Sequence, residues 1–331
     1  MITCQKTLGR TGPAVSTIGL GAMGMSGMYG PSDRAESIAT IHAALDAGIN
    51  LIDTGDIYGS GHNELLIAEA LRGRKREDVL LSVKFGPLRD PAGGWNGVDT
   101  RPVAIKNFLA YSLVRLGTNY VDVYRPARLD PNVPIEETVG ALAELVKAGY
   151  VRYIGLSEVG AETIRRANAV HPIVDVQLEY SVLSRSLEDK VLPVCRELGV
   201  GITAYGVLSR GLIGNWTKAS SGPGDYRAHL PRFQDANLKR NRALLEALRR
   251  IADAKGATVS QIAIAWVLQR GDDIVPLIGS RTRKQLSDSL GALDVRLDPS
   301  DLAAIESAIP KGAAAGDRYA PEHMRALDSE R

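Results

Sequence analysis

Gly19-Leu20-Gly21-Ala22-Met23-Gly24-Met25-Ser26-Gly27-Met28-Tyr29-Gly30-Pro31 is the stretch on which the choice of fold turns. Its first six residues spell G-x-G-x-x-G directly after an apolar run at 15–20, as in the phosphate-binding turn of a doubly wound nucleotide-binding sheet. That fingerprint works only when a helix begins at once, because the helix N-terminal amides must face the pyrophosphate. Here residues 25–31 intervene, with Gly27, Gly30 and Pro31 among them, so no helix can start before Ser32. The match is therefore one of letters, and the doubly wound reading loses its best support.

Working outward, short apolar runs recur at 15–20, 49–52, 79–83, 120–124, 151–156, 173–178, 201–204 and 274–278. Their continuous apolar character suits parallel strands covered on both faces. Segments with helical periodicity separate them, for example 35–47, 64–72, 102–116, 135–147, 161–169, 187–198 and 238–255. Asp33 is placed to cap the first of these, while Gly48, Gly149 and Gly199 follow helix ends. Eight strands alternating with helices predict an α/β fold, a (β/α)8 TIM barrel, which needs about 250 residues. The rest of the 331 residues fall in an N-terminal β-hairpin at 6–15, a long loop after strand seven at 208–237 and a C-terminal tail after 299. No linker or compositional break divides the chain, so one domain over 1–331 is expected, although alternation alone does not exclude an open sheet.

Composition narrows the function classes. A net charge of +2 and only one dense basic cluster, Arg72-Gly-Arg-Lys-Arg76, predict no nucleic-acid partner. No apolar run reaches the roughly 18 residues a membrane span needs, and residues 1–10 carry no apolar leader core. With two cysteines, Cys4 and Cys195, a reducing, cytoplasmic setting is expected.

In a barrel enzyme the chemistry lies at the C-terminal ends of the strands. Those ends carry Asp53, Lys84, Arg125 to Arg128, Ser157 and Glu158, Gln177, Tyr205, and Gly279 to Arg283, with Tyr58 just past Asp53. Each alone reads as a strand cap or a surface side chain; a carboxylate, a tyrosine and a lysine converging on one rim read as acid–base chemistry.

Asn50-Leu-Ile-Asp53-Thr-Gly-Asp-Ile-Tyr58-Gly-Ser-Gly-His-Asn-Glu64 resembles the first signature of the aldo-keto reductase superfamily. The resemblance continues through Leu8-Gly-Arg-Thr-Gly12, Tyr120-Val-Asp-Val-Tyr124, Gly149-Tyr-Val-Arg-Tyr-Ile-Gly-Leu-Ser157, Gln177-Leu-Glu-Tyr180, Tyr205-Gly-Val-Leu-Ser-Arg-Gly211 and Val275-Pro-Leu-Ile-Gly279. It is nearest in flavour to the branch holding perakine reductase-like and potassium-channel β-subunit-like proteins. It implies NADPH-dependent reduction of aldehydes or ketones, with Tyr58 as general acid, Lys84 lowering its pKa and Asp53 holding Lys84. A small carbonyl compound is the implied partner and no metal is expected; a homo-oligomer stays open. For the cofactor the resemblance implies Tyr205 under the nicotinamide, and Ser157, Glu158 (where most members have Asn) and Gln177 at its carboxamide. Gly21, Ala22, Met23 and Asp53 would line its barrel side, and Gly206, Leu208, Arg210 and Gly211 the pyrophosphate. Gly279, Ser280, Arg281 and Arg283 would receive the 2′-phosphate at a helix start, where cations are unfavourable without an anion. Gln285 and Asp288 would face the adenine.

One position departs from the family. Its His-Arg-x-Asp motif reads Ala127-Arg128-Leu129-Asp130 here, so the catalytic histidine is missing. Residues 125 and 127 share a strand face, which makes Arg125 either the substitute donor or the partner of a barrel carboxylate, Asp53 being one candidate. Arg128 matches the family's ordinary arginine and reads as structural. The alternative to an active reductase is a catalytically weak NADPH-binding sensor or regulatory subunit.

Overall fold

The computed structural model describes Ile2, residues 5–214 and residues 225–331. The chain opens with an antiparallel hairpin of β1 (Gln5–Thr7) and β2 (Ala14–Ser16), then enters the wall of a closed barrel. The wall runs through eight parallel strands: β3 (Gly19–Gly21), β4 (Leu51–Gly55), β5 (Leu80–Phe85), β8 (Val121–Pro126), β9 (Val151–Ser157), β10 (Ile173–Glu179), β11 (Gly201–Tyr205) and β12 (Ile274–Gly279). Pairing of Leu277 with Gly19 and Gly279 with Gly21 closes it. A second hairpin, β6 (Pro87–Arg89) with β7 (Trp95–Val98), stands over the rim after β5 and had no apolar signal.

The 15–20 run is two strands rather than one. β2 belongs to the hairpin and β3 to the wall, and the Ser16 hydroxyl donates to the Ile18 carbonyl (2.7 Å) where the chain turns between them. Helices α1 (Arg34–Asp46), α2 (His62–Ala70), α3 (Pro102–Leu116), α4 (Ile135–Lys147), α5 (Ala161–Val170) and α6 (Val191–Leu198) follow successive wall strands. Asp33 caps α1, its carboxylate accepting from the Glu36 amide at 2.7 Å. Between β11 and β12 lie α7 (Asp235–Lys255) and α8 (Val259–Leu268); α9 (Arg283–Leu290), α10 (Pro299–Ala308) and α11 (Pro321–Arg325) complete the chain. α8 carries no helical period in the sequence because it is apolar on nearly every side, with Ile262 to Val267 all buried. A capping box between Thr258 and Gln261 marks its start.

Inward side chains alternate along each strand and form layers. At the bottom Leu51, Val123, Val275 and Leu277 pack with Leu8 and Val15, so the N-terminal hairpin is the floor of the barrel. Above them the interior turns polar, with Ser82, Arg125, Asp175 and Thr203 buried together. Asp53, Lys84 and Gln177 lie at the top. Ser82, Asp175 and Thr203 sit inside the apolar runs at 79–83, 173–178 and 201–204, where a single polar residue barely dents the pattern.

Candidate active site

The register of neighbouring strands fixes the top layer. Asp53 on β4 pairs with Ser82 on β5, and Lys84 on β5 with Arg125 on β8. One Asp53 oxygen takes the Lys84 ammonium; the other accepts from Ser82 (2.9 Å) and from the Gln177 side-chain amide (2.8 Å). Lys84 Nζ also lies 5.4 Å from the centre of the Tyr58 ring. The three proposed acid–base residues therefore meet at the mouth, as the strand ends suggested.

Their electrostatics differ from expectation in one respect. Burial, reinforced by Asp53, raises the Tyr58 phenol well above its ordinary value, and Arg128 opposes this. Tyr58 is a neutral, protonated phenol here rather than an acidified one, because a 9% exposed ring has lost its solvation. Burial lowers Lys84, while Asp53 works to keep it charged.

Arg125 is not at the mouth. It has no exposed surface, and its guanidinium donates to Asp175 (2.8 Å), the Leu156 carbonyl (3.3 Å), Thr203 (3.4 Å) and Ser82 (3.0 Å). Of its two roles the geometry matches the paired one, with Asp175 as carboxylate in place of Asp53. The small Gly155 beside it is required: a Cβ there would lie 2.6 Å from Asp175 Oδ1 and 3.0 Å from Arg125 Cζ. Through Ser82, which accepts from Arg125 and donates to Asp53, the buried arginine props the top layer from below.

Asn63 carries a function the sequence reading did not assign, although the residue stood in the quoted signature. Wholly buried, it accepts from Thr54 (2.6 Å) and donates to the Ala22 carbonyl (2.9 Å) and the Ser26 hydroxyl (2.7 Å). It thus pins the turn bearing Tyr58 to residues 22–26, which form a 3-10 turn (Met23–Ser26) where the false fingerprint lay.

The residues expected to hold the cofactor stand at or just past the C-terminal ends of the barrel strands. Gly21 pairs with Asp53, and the Ala22 amide donates to the Asp53 carbonyl. Ser157 and Gln177 are register partners on β9 and β10. Gly206 and Gly211 adopt φ of +65° and +91°, backbone that favours glycine, and Leu208 is half-buried between them. At the far end Thr282 caps α9, and among the described residues Gly279 has open space around it and the buried Ser280 hydroxyl has no partner. Arg281 is half-buried and donates to the Tyr29 (3.0 Å) and Pro31 (3.2 Å) carbonyls. Its charge is disfavoured by burial and then by Arg227, a combination an incoming anion relieves. Arg283 is exposed and paired with Glu36 (2.8 Å); Gln285 is exposed and its side-chain oxygen accepts from the Arg281 amide. Asp288 is half-buried beside Gln261. The unpartnered hydroxyl, open glycine and crowded arginines fit a dinucleotide phosphate.

Glu158 and Arg210 do not fit as free contacts. Glu158 is fully buried at a left-handed φ of +52° and accepts from Tyr205 (2.7 Å), Ser329 (2.5 Å), the Glu179 amide (3.1 Å) and both terminal nitrogens of Arg318 (3.0 and 2.9 Å). Burial alone would raise its carboxyl; Arg318, with Arg128 and the Ser329 hydroxyl, more than reverses this and holds it below the usual range. Arg210 is paired with Glu179 (2.8 Å) and lies 4.6 Å from the Tyr319 ring. The C-terminal tail has entered the site: Arg318 clamps Glu158, the Tyr319 hydroxyl meets that of Tyr205 (2.9 Å), and Asp328 accepts from the Gly160 amide at the start of α5 (2.7 Å). Nothing in the tail's local sequence points back to the barrel, so these contacts were out of reach of sequence reasoning.

Known proteins resemble this chain in sequence and fold. Residues 17–310 match the model of the aldo/keto reductase family. A "Probable aldo-keto reductase 1" from Glycine max is 42% identical over 94% of this chain and 90% of its own length. Among solved structures, the glycerol dehydrogenase of Gluconobacter oxydans superposes with a TM-score of 0.83 at 28% identity, covering 93% of this chain and 95% of that one. A thermostable aldo-keto reductase in complex with the inhibitor epalrestat gives 0.74, also at 28%, over 92% and 100%. Fold, strand-end chemistry and sequence agree, and the chain belongs to the aldo/keto reductase family.

Proposed function

We propose that this chain, read as one barrel domain over residues 1–331, reduces an aldehyde or ketone to the alcohol with NADPH. The observation that carries the reading is the buried Lys84–Asp53 ion pair beneath the Tyr58 ring. NADPH supplies the hydride when bound; the chain's residues manage the proton and the charge. Tyr58, protonated throughout the neutral range, donates its proton to the carbonyl oxygen. The phenolate left behind is stabilised by Lys84, which Asp53 keeps charged against burial. Ser82 and Gln177 occupy the second Asp53 oxygen and fix its direction.

Gly21, Ala22, Met23, Ser157, Gln177, Tyr205, Gly206, Leu208, Gly211, Gly279, Ser280, Arg281, Arg283, Gln285 and Asp288 would hold the dinucleotide, with Arg281 favouring the 2′-phosphate by its planar fork. Glu158 and Arg210 serve it at one remove, by anchoring Tyr205 and the tail. The absence of a histidine at Ala127 favours a second reading, a weakly catalytic NADPH-binding sensor. The two separate in one assay: NADPH absorbance with a panel of aldehydes, for wild type and Tyr58→Phe. Turnover that Tyr58→Phe abolishes, with cofactor affinity kept, supports the reductase; full activity in Tyr58→Phe ends the tyrosine mechanism.

A further inference from the structure

The missing histidine leaves the carbonyl oxygen with one proton donor, Tyr58, and no second hydrogen-bond donor. Arg125 lies a layer too deep to serve. Its sequence neighbour Arg128 lies past the end of β8, where the Ala127 amide still bonds the Phe85 carbonyl (2.9 Å) and so continues the rim that carries Lys84. The Arg128 side chain turns back over the strand end. One terminal nitrogen donates to the Ala127 carbonyl (2.6 Å) and the other to the Tyr319 hydroxyl (3.4 Å), whose ring lies 5.7 Å from the guanidinium carbon. Alanine at position 127 offers no hydrogen-bond donor of its own.

Arg128 also differs in its charge balance. Arg125, Arg210, Arg227 and Arg318 are each buried and each paired with a carboxylate. Half-buried Arg128 has no ion pair among the described residues, and two of the five N–H groups of a guanidinium are engaged there. The field of Glu158 reaches it without direct contact; a partly desolvated cation with unengaged N–H groups, at the rim of Tyr58 and Lys84, is suited to a negative charge that appears only during reaction. Its field reaches both of those residues.

We infer that Arg128, held by Tyr319 of the C-terminal tail, replaces the absent histidine as hydrogen-bond donor to the carbonyl oxygen of the substrate. The inference rests on the reductase reading above. As the carbonyl carbon gains hydride, its oxygen gains the Tyr58 proton; Arg128 donates hydrogen bonds to the developing alkoxide and keeps all its protons. The tail thereby becomes part of the catalytic site.

The test uses Arg128→Ala, Arg128→Lys, Tyr319→Phe and the double variant Arg128→Ala with Ala127→His, each checked for wild-type circular dichroism. Removing a preorganised oxyanion donor costs about 10²–10³ in kcat, so Arg128→Ala should fall by that order while the NADPH dissociation constant stays within about twofold. Arg128→Lys should recover part of the loss, since a point charge lacks the fork, and the double variant should regain at least about tenfold over Arg128→Ala. Tyr319→Phe should lose kcat less than Arg128→Ala does. Independently of turnover, benzoate is titrated calorimetrically into the cofactor-free protein as a stand-in for the oxyanion. Its affinity should drop at least about tenfold in Arg128→Ala, the loss of one charged hydrogen bond. Unchanged kcat and benzoate affinity in a folded Arg128→Ala overturn the inference alone. So does a benzoate loss with unchanged kcat, which would make Arg128 a binding group. A wild type that reduces none of the aldehydes overturns the reductase reading and this role together.

Discussion

Replacing Arg125 by Met keeps most of its length and removes its charge. Asp175 would then remain at 0% exposure with the Thr203 hydroxyl (2.6 Å) as its remaining donor and its other oxygen without a partner. Breaking a buried pair on one side costs about 3–5 kcal/mol, because a charge is stranded rather than because the pair itself was so favourable. At about 2.1 cal/mol/K per residue, the unfolding entropy of 331 residues is about 0.7 kcal/mol/K, so Tm should fall by about 4–7 °C. The double variant Arg125→Met with Asp175→Leu removes both charges and should recover most of the loss. Catalysis should respond differently. Asp53 keeps Lys84, Gln177 and the Ser82 hydroxyl in Arg125→Met, so kcat should drop less than the roughly 10² typical of a lost oxyanion donor. Urea and thermal unfolding followed by circular dichroism, beside NADPH oxidation, read both effects. Wild-type stability together with a hundredfold loss of kcat would refute this account and return Arg125 to the substrate.

Arg281→Ala should weaken NADPH by about 1.5–3 kcal/mol and leave NADH nearly unaffected, as for one charged hydrogen bond; equal losses in a fluorescence titration would remove Arg281 from the 2′-phosphate. Asn63→Ala deletes three bonds and leaves the Thr54 hydroxyl without its acceptor, while the Ala22 carbonyl keeps the Met25 amide, so about 1–3 kcal/mol of stability should go. Its kcat should fall as well, and a variant of wild-type stability and rate would show that the Tyr58 turn holds itself. Burial, with Glu64 beside it, pushes Asp56 up to about 7. A folded-state value above the ordinary one means the native chain keeps a proton that the unfolded chain releases, so this contribution is full below about pH 4 and fades as pH rises through 7. Wild type should therefore lose stability between pH 5 and 8 more steeply than Asp56→Asn; equal urea midpoints across that range in both would exclude the effect.

How far the sequence could be read depended on whether a signal was local. The barrel followed from alternation and from Pro31 and its glycines blocking a helix start, and both are properties of neighbouring residues. Asp53, Tyr58 and Lys84 were legible because strand ends point to one rim whatever the helices do. The fate of Arg125 was not, since Asp53 lies two strands away on one side, beyond β5, and Asp175 two strands away on the other, beyond β9, and only the assembled wall decides which the guanidinium reaches. Glu158 failed for the same reason: its partners Arg318 and Ser329 lie in a tail whose own sequence is polar and unremarked. The expected acidification of Tyr58 looked to one neighbouring cation and missed the larger cost of taking a phenol out of water.

Closure of the wall has a consequence for how the molecule is made. Gly19 waits for Leu277, a partner that the ribosome supplies about 13–52 s later at 5–20 residues per second. During that interval one side of β3 offers unpaired amides and carbonyls to any passing chain, the usual opening for edge-to-edge aggregation. β3 presents little to recruit: it is three residues long, begins and ends in glycine, and already pairs on its other side with Ile52 and Asp53. A longer, β-branched strand in its place would stand exposed throughout synthesis, and at Gly19 a Cβ would in addition lie 2.6 Å from the Leu277 side chain. The brevity of β3 therefore protects the nascent chain, and extending it with Val or Ile should lower the yield of soluble protein before it alters the stability of the folded one.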